Sequence, residues 1–163
     1  MSHTDDLLAS ARAYESRHRD VEMGPRPARK IAVLACMDTR LNPYTLLGLS
    51  EGDAHMIRNA GGIVTDDAIR SLVLSQNVLG TEEVILIQHT DCGLLGTTDV
   101  ELADRVEAES GSRPEWGFHA FSDLERSVRE GVERIRSSSY LPHRDNVRGF
   151  VFEVDSGRLR EVA

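Results

Sequence analysis

The sequence predicts an α/β fold: a mostly parallel central sheet flanked by helices, with a C-terminal hairpin and an N-terminal helical arm. Three observations predict it. Two continuous apolar runs, Ile31–Ala35 and Val84–Ile87, are bounded by polar or turn-forming residues, as expected of strands covered on both faces. Segments with helical spacing lie between and after these runs, the alternation that builds parallel sheets. Near the C-terminus, Val147 to Glu153 alternates as a strand, Asp155-Ser156-Gly157 turns, and Leu159 to Val162 returns as a hairpin arm.

The elements follow in order. Residues 5–19 place Leu7, Leu8, Ala11 and Tyr14 at roughly helical spacing, a stripe so thin that the helix needs another surface to be stable. Gly24 to Arg29, with Pro25 and Pro27, break that helix and extend the chain. Ile31–Ala35 is the first strand and runs directly into Cys36-Met37-Asp38-Thr39-Arg40. Residues 43–49 form a short helix or turn ending near Gly48. Ala54–Asn59 is a second strand, followed by an Ala60-Gly61-Gly62 loop. Thr65 or Asp66 caps a helix starting near Asp67, with Ile69, Leu72, Val73 and Leu79 on its apolar face and Gly80 as its stop. Glu83–Ile87 is the next buried strand and runs into Gln88-His89-Thr90-Asp91-Cys92-Gly93. Residues 99–109 are an exposed helix, and residues 110–118, with Gly111, Pro114 and Gly117, are a loop. Ser122-Asp123-Leu124-Glu125 has the form of a capping box, and Leu124, Val128, Val132 and Ile135 line one face of the helix that follows.

The 163 residues suit one domain spanning 1–163, with 40% hydrophobic and 28% charged side chains. The formal net charge of −8, with Lys30 as the only lysine, argues against nucleic acid as a partner, because neutralising phosphates needs a basic face. No stretch approaches the roughly 18 apolar residues of a membrane span. The polar, acidic start from Met1 to Asp6 lacks the basic and apolar segments of a secretory signal. These features place the protein in the cytoplasm, where a structural disulfide between its two cysteines is not expected.

Cys36, His89 and Cys92 offer two sulfurs and one nitrogen, the donor types that zinc prefers. Cys36 and His89 follow two different buried strands, and ligand sites in such sheets lie beyond the carboxyl ends of the strands. His89 and Cys92 are three positions apart, so both can point the same way from one turn. Three protein ligands leave a fourth position open, as in a catalytic site; a structural site is normally closed by a fourth cysteine or histidine. No third cysteine exists, and His3, His18, His55, His119 and His143 have no motif spacing to either cluster. In an extended segment positions 36, 38 and 40 share a side, which sets Asp38 near the metal with Arg40 beside it. Two readings of Asp38 follow: paired with Arg40 it leaves the fourth position to water, and freed from Arg40 it binds the metal itself. Asn59-Ala60-Gly61-Gly62 is a tight loop near the same end of the sheet, built for close backbone approach or for a turn with positive φ.

At these residues the chain resembles the beta-class carbonic anhydrases. The resemblance rests on Cys36-x-Asp38-x-Arg40, on Arg58-Asn59-Ala60-Gly61-Gly62 and on His89-x-x-Cys92-Gly93, in that order and spacing, and runs from about Ile31 to the C-terminal hairpin. It implies a lyase, carbonate dehydratase, that hydrates carbon dioxide reversibly to bicarbonate and a proton by zinc-bound hydroxide. It implies one zinc per subunit on Cys36, His89 and Cys92, and a catalytic dyad of Asp38 and Arg40. It implies a closed form in which Asp38 also binds zinc at lower pH. It further implies a homodimer or higher homo-oligomer, with residues 1–29 as an arm packed on the partner subunit.

Three rivals stand beside this reading. The same chemistry could act on carbonyl sulfide or carbon disulfide, which the motifs do not separate from carbon dioxide. Zinc could instead serve only to hold a fold or binding module together. Cys36 could be a redox or phosphatase nucleophile, but the chain has no Cys-x-x-Cys. Asn42 and Thr98, not arginine, stand six positions after the two cysteines.

Overall fold

The computed structural model describes residues 2–16, 18 and 24–163. In chain order it contains α1 (His3–Glu15), β1 (Ile31–Cys36), α2 (Pro43–Leu47), β2 (Ala54–Asn59), a 3₁₀ turn (Ala60–Gly62), α3 (Asp66–Asn77), β3 (Glu83–His89), α4 (Asp99–Ser110), α5 (Leu124–Arg136), β4 (Val147–Phe152) and β5 (Leu159–Glu161). The strands form one sheet in the order β2-β1-β3-β4-β5. The pairs β1–β2, β1–β3 and β3–β4 are parallel, and β5 closes the sheet as the antiparallel arm of the hairpin. This is the predicted architecture.

Burial on both faces explains why β1 and β3 read as continuous apolar runs. Side chains alternate between the two faces of a strand. Ala32, Leu34 and Leu86 pack into one layer with Leu72 of α3 and Val128, Val132 and Ile135 of α5. Val33, Ala35 and Ile87 pack into the opposite layer with Leu41, Leu94 and Phe152, supported by Leu46, Leu102 and Phe121. Each face therefore removes its own apolar set from water, at roughly 25 cal/mol per Å² buried. Gly149 of β4 admits α5 to this sheet: a Cβ there would lie 2.5 Å from Val128 Cγ1 and 2.8 Å from Val132 Cγ2.

Several boundaries differ from the sequence reading. β3 continues through Gln88 and His89, because both pair with β4, at Val151 and Phe152. His89 is thus the last residue of a strand and not part of the loop. The cap of α5 is Asp123, whose side chain accepts from the Arg126 N–H, and not Ser122. Glu125, the expected box partner, instead binds Arg129 and Arg160. The α1 helix starts at His3, where Ser2 and Asp5 form a capping box. Residues 17 and 19 of the expected helix lie outside the described residues. α1 buries none of its side chains, and Leu7 and Tyr14 are 70% and 54% exposed. No helix among the described residues is long and apolar enough to cross a membrane.

Candidate metal centre

Cys36 ends β1 and His89 ends the adjacent parallel strand β3, so strand pairing alone brings them to the carboxyl end of the sheet. Cys92 returns to the same place through a tight turn in which Asp91 adopts φ 55°. The Cys36 Sγ, a His89 ring nitrogen and the Cys92 Sγ lie within 4.8 Å of one another, and all three residues are buried.

The histidine is oriented from behind. His89 Nδ1 lies 2.8 Å from the Thr90 carbonyl oxygen and donates to it. That bond makes Nε2 the nitrogen with a free lone pair. Nε2 is buried and has no hydrogen-bond partner. A buried polar atom without a partner is costly, and a metal ion shared with the two sulfurs would resolve that cost. Two thiolates and one imidazole suit zinc in a tetrahedral site, so this cluster could hold the ion.

The two thiols are electrostatically unequal. A hydrogen bond from the Cys92 thiol lowers Cys36 to about 4; burial opposes this shift, and His89 reinforces it. Cys92 is pushed up because it donates to Cys36 and because it is buried. Burial opposes a charge on His89, but the Cys36 thiolate beside it, the bond to the Thr90 carbonyl and the nearby Asp38 carboxylate carry its pKa upward. In metal-free protein the two sulfurs share one proton, and only a thiolate is nucleophilic. At about pH 6, where ordinary thiols near 8.5 are protonated, iodoacetamide is expected to label the pair. Zinc is expected to protect both sulfurs. No labelling without zinc, or labelling undiminished by zinc, read by peptide mass spectrometry, would contradict this reading.

Asp38 sits beside the cluster but is held by Arg40. The Arg40 Nε donates to Asp38 Oδ1 at 3.0 Å, Nη2 to Oδ2 at 2.8 Å, and the Arg40 backbone N–H to Oδ1 at 2.9 Å. Such two-pronged arginine–carboxylate pairing fixes orientation as well as charge. Arg40 holds the Asp38 carboxyl well below the usual carboxylate range. Asp38 Oδ2 lies 3.8 Å from His89 Nε2.

The sequence reading had Cys36, Asp38 and Arg40 sharing one side of an extended segment. The strand instead stops at Cys36, and Asp38 closes a turn in which its carbonyl accepts from the Leu41 N–H at 3.1 Å. Arg40 meets Asp38 because the chain turns, not because side chains alternate.

Two supporting residues went unassigned in the sequence. Asp91 receives Arg40 Nη1 at 2.6 Å, and its carbonyl receives Nη2 at 3.0 Å. Its signal was only its place between His89 and Cys92. Arg58 donates to the carbonyls of Cys36, Asp38 and Leu41, pinning the turn that carries Asp38 and Arg40. The Asn59–Gly62 loop closes the site from the β2 side: Asn59 grips the Ile63 backbone at both its N–H and its carbonyl. Met37, Asp38, Gly61 and Leu94 line a cavity of about 280 Å³ that opens onto both cysteines.

Three comparisons place this geometry among known proteins. Residues 31–159 match the profile of the family described as carbonic anhydrase. "Beta-carbonic anhydrase 1" of Mycobacterium tuberculosis is 46% identical over 162 residues, covering 99% of each chain. A carbon disulfide hydrolase of Acidianus sp. is 37% identical over 159 residues, covering 82% of this chain and 77% of its own. Among solved structures, a carbonic anhydrase from Streptococcus mutans superposes with a TM-score of 0.93 at 39% identity, covering 100% of this chain and 99% of its own.

Proposed function

This chain belongs to the beta-class carbonic anhydrases, and from that membership we propose that it hydrates carbon dioxide reversibly to bicarbonate and a proton, using one zinc ion per subunit held by Cys36, His89 and Cys92. One observation carries the reading: two sulfurs and the unpartnered, buried Nε2 of His89 converge within 4.8 Å beside a carboxylate fixed by arginine. Zinc supplies Lewis acidity that makes water a competent nucleophile near neutral pH.

The chain's own residues do the rest. Asp38 is an acceptor-only carboxylate throughout the neutral range, held there by Arg40. It accepts a hydrogen bond from the reacting water and so turns that water's lone pair toward the substrate. Because two thiolates make a metal a weaker acid than neutral ligands do, this orientation matters more here. Arg40 fixes Asp38, and Asp91 fixes Arg40 from its far side. Leu94 and Met37 offer carbon dioxide an apolar wall beside the cysteines. Arg40 makes three hydrogen bonds to Asp38, which keep the carboxylate committed to the arginine and free to accept from the reacting water. A closed form in which Asp38 would itself hold the ion requires that pairing to break.

We read residues 1–163 as one domain and residues 1–29 as an arm that packs on a second copy in a homodimer or larger assembly. The support is the solvent-facing Leu7, Leu8 and Tyr14 of α1, a helix too thinly striped to be stable alone.

Carbon disulfide is the second substrate to weigh, because a carbon disulfide hydrolase is 37% identical. The test is stopped-flow hydration on protein stripped by a chelator and then titrated with zinc. Activity is expected to return in proportion to zinc, saturating at one ion per chain. A fully loaded protein that hydrates no carbon dioxide but consumes carbon disulfide would move the assignment to that substrate.

A further inference from the structure

Hydration of carbon dioxide consumes one water and releases bicarbonate and one proton, and the proton must leave the cavity before the next turnover. This inference rests on the reading above. The residues lining the metal-site cavity include no side chain suited to that export. Cys36 and Cys92 are committed to the metal, and both carboxylate oxygens of Asp38 are taken up by Arg40. The route therefore has to continue beyond the cavity.

A second cavity of about 320 Å³ shares Ala60 with the first, and His119 lines it. His119 also lines a third cavity, of about 270 Å³, on the α5 side, where Gln88 contributes a buried, unpartnered Oε1. Histidine is exposed here, and its ring makes no hydrogen bond to any described residue. Of all side chains, imidazole is the one whose ordinary titration lies near physiological pH.

The backbone around His119 is built at a cost. His119 is not glycine, yet it adopts φ 60°, a conformation that is uncommon and strained for such residues and tends to persist at functional sites. Asp99 holds it there. Its carboxylate accepts from the His119 N–H at 3.2 Å and the Ala120 N–H at 2.7 Å. Gly117 leaves room for that carboxylate, since a Cβ would lie 2.7 Å from Asp99 Oδ2.

The other charged groups around these cavities are engaged. Arg58 is bound to the carbonyls of the Cys36–Leu41 turn, and Asp67 pairs with Arg70. Glu130 pairs with Arg126, and Arg134 with Asp66. Asp99 is spent on the backbone.

We propose that His119 is the proton-transfer residue of this enzyme. It takes the proton released by hydration through water in the shared cavities and gives it to a buffer base in solvent. The imidazole gains a proton to become imidazolium and returns to neutral when the buffer base accepts it, so protons balance over the cycle.

The test compares wild type with His119→Asn, because asparagine tolerates the left-handed conformation but does not titrate. In dilute buffer the variant's kcat is expected to fall roughly 100-fold or more, from the lower end of lost proton-transfer catalysis upward. Its kcat/KM and its interconversion of carbon dioxide and bicarbonate at chemical equilibrium should be unchanged, because proton export follows the chemical step, whereas release of labelled oxygen into water, which needs that proton, should fall. Added imidazole should restore kcat. In metal-free, assembled protein, diethyl pyrocarbonate should modify His119, showing a ring open to solvent. Wild-type kcat in the variant, an equal loss of kcat and kcat/KM without imidazole rescue, or a His119 protected from the reagent would each overturn the proposal. Wild type inactive toward carbon dioxide would instead overturn the reading on which it rests.

Discussion

Asp38→Ala is expected to keep its zinc and lose hydration activity by about 10–100-fold, the usual effect of removing a group that orients a metal site's surroundings. The metal should stay because the converging donors are Cys36, His89 and Cys92, whereas Asp38 is tied to Arg40 by hydrogen bonds of 2.8 to 3.0 Å. Activity should fall because an alanine leaves no acceptor within reach of the reacting water. The loss should appear in kcat/KM, which contains the chemical step, whereas proton export enters kcat alone. Lowering the pH from neutral does not protonate Asp38, because Arg40 holds its carboxyl well below the usual carboxylate range, so a loss of activity on that limb reports protonation of the reacting water or the closed form and not titration of Asp38. Zinc content and stopped-flow rates decide the matter together. Full activity in the variant would remove Asp38 from the mechanism, and loss of zinc would make Asp38 a ligand.

Gly62→Ala is expected to cost about 3 kcal/mol of stability, combining roughly 1–2 for a left-handed alanine with roughly 1–3 for overpacking. A Cβ there would lie 2.8 Å from the Cys36 backbone nitrogen and 2.8 Å from the Ile87 carbonyl oxygen. Both are backbone atoms of paired strands, so no rotamer change relieves the clash. The strand ends that carry Cys36 and His89 must move apart, and zinc retention should fall with stability. Gly48→Ala is the matching control. Its φ of 63° is close to the 62° of Gly62, but nothing lies within 4 Å of where a Cβ would stand. It should lose only the conformational part, about 1–2 kcal/mol. Equal shifts in urea midpoint for the two variants would show that the contact at Gly62 carries no energy.

The same residues show why some features are legible in a linear chain. Burial on both faces makes Ile31–Ala35 and Val84–Ile87 uniformly apolar, so the strands announce themselves without reference to their neighbours. The faces of α3 and α5 are read from spacing for the same reason. The cap of α5 slipped by one residue because Ser122 and Asp123 both offer a suitable oxygen, and only the ion pairs of Glu125 with Arg129 and Arg160 decide between them. The end of β3 was set too early because Gln88 and His89 are polar, and what keeps them in the strand is pairing with Val151 and Phe152.

The α/β class, the run of elements from β1 to the hairpin, and the candidate donors Cys36, His89 and Cys92 with Asp38 and Arg40 nearby are legible in the linear chain. These depend on side-chain type and short-range period, which the chain carries wherever it folds. Tertiary structure alone makes β1 and β3 neighbours, sets Asp91 and Arg58 against the site from both sides, lays Gly62 against two strand backbones, and puts His119 on a cavity that shares Ala60 with the one at the cysteines. Those relations join residues distant in sequence through sheet register and turns, and no local period encodes a register.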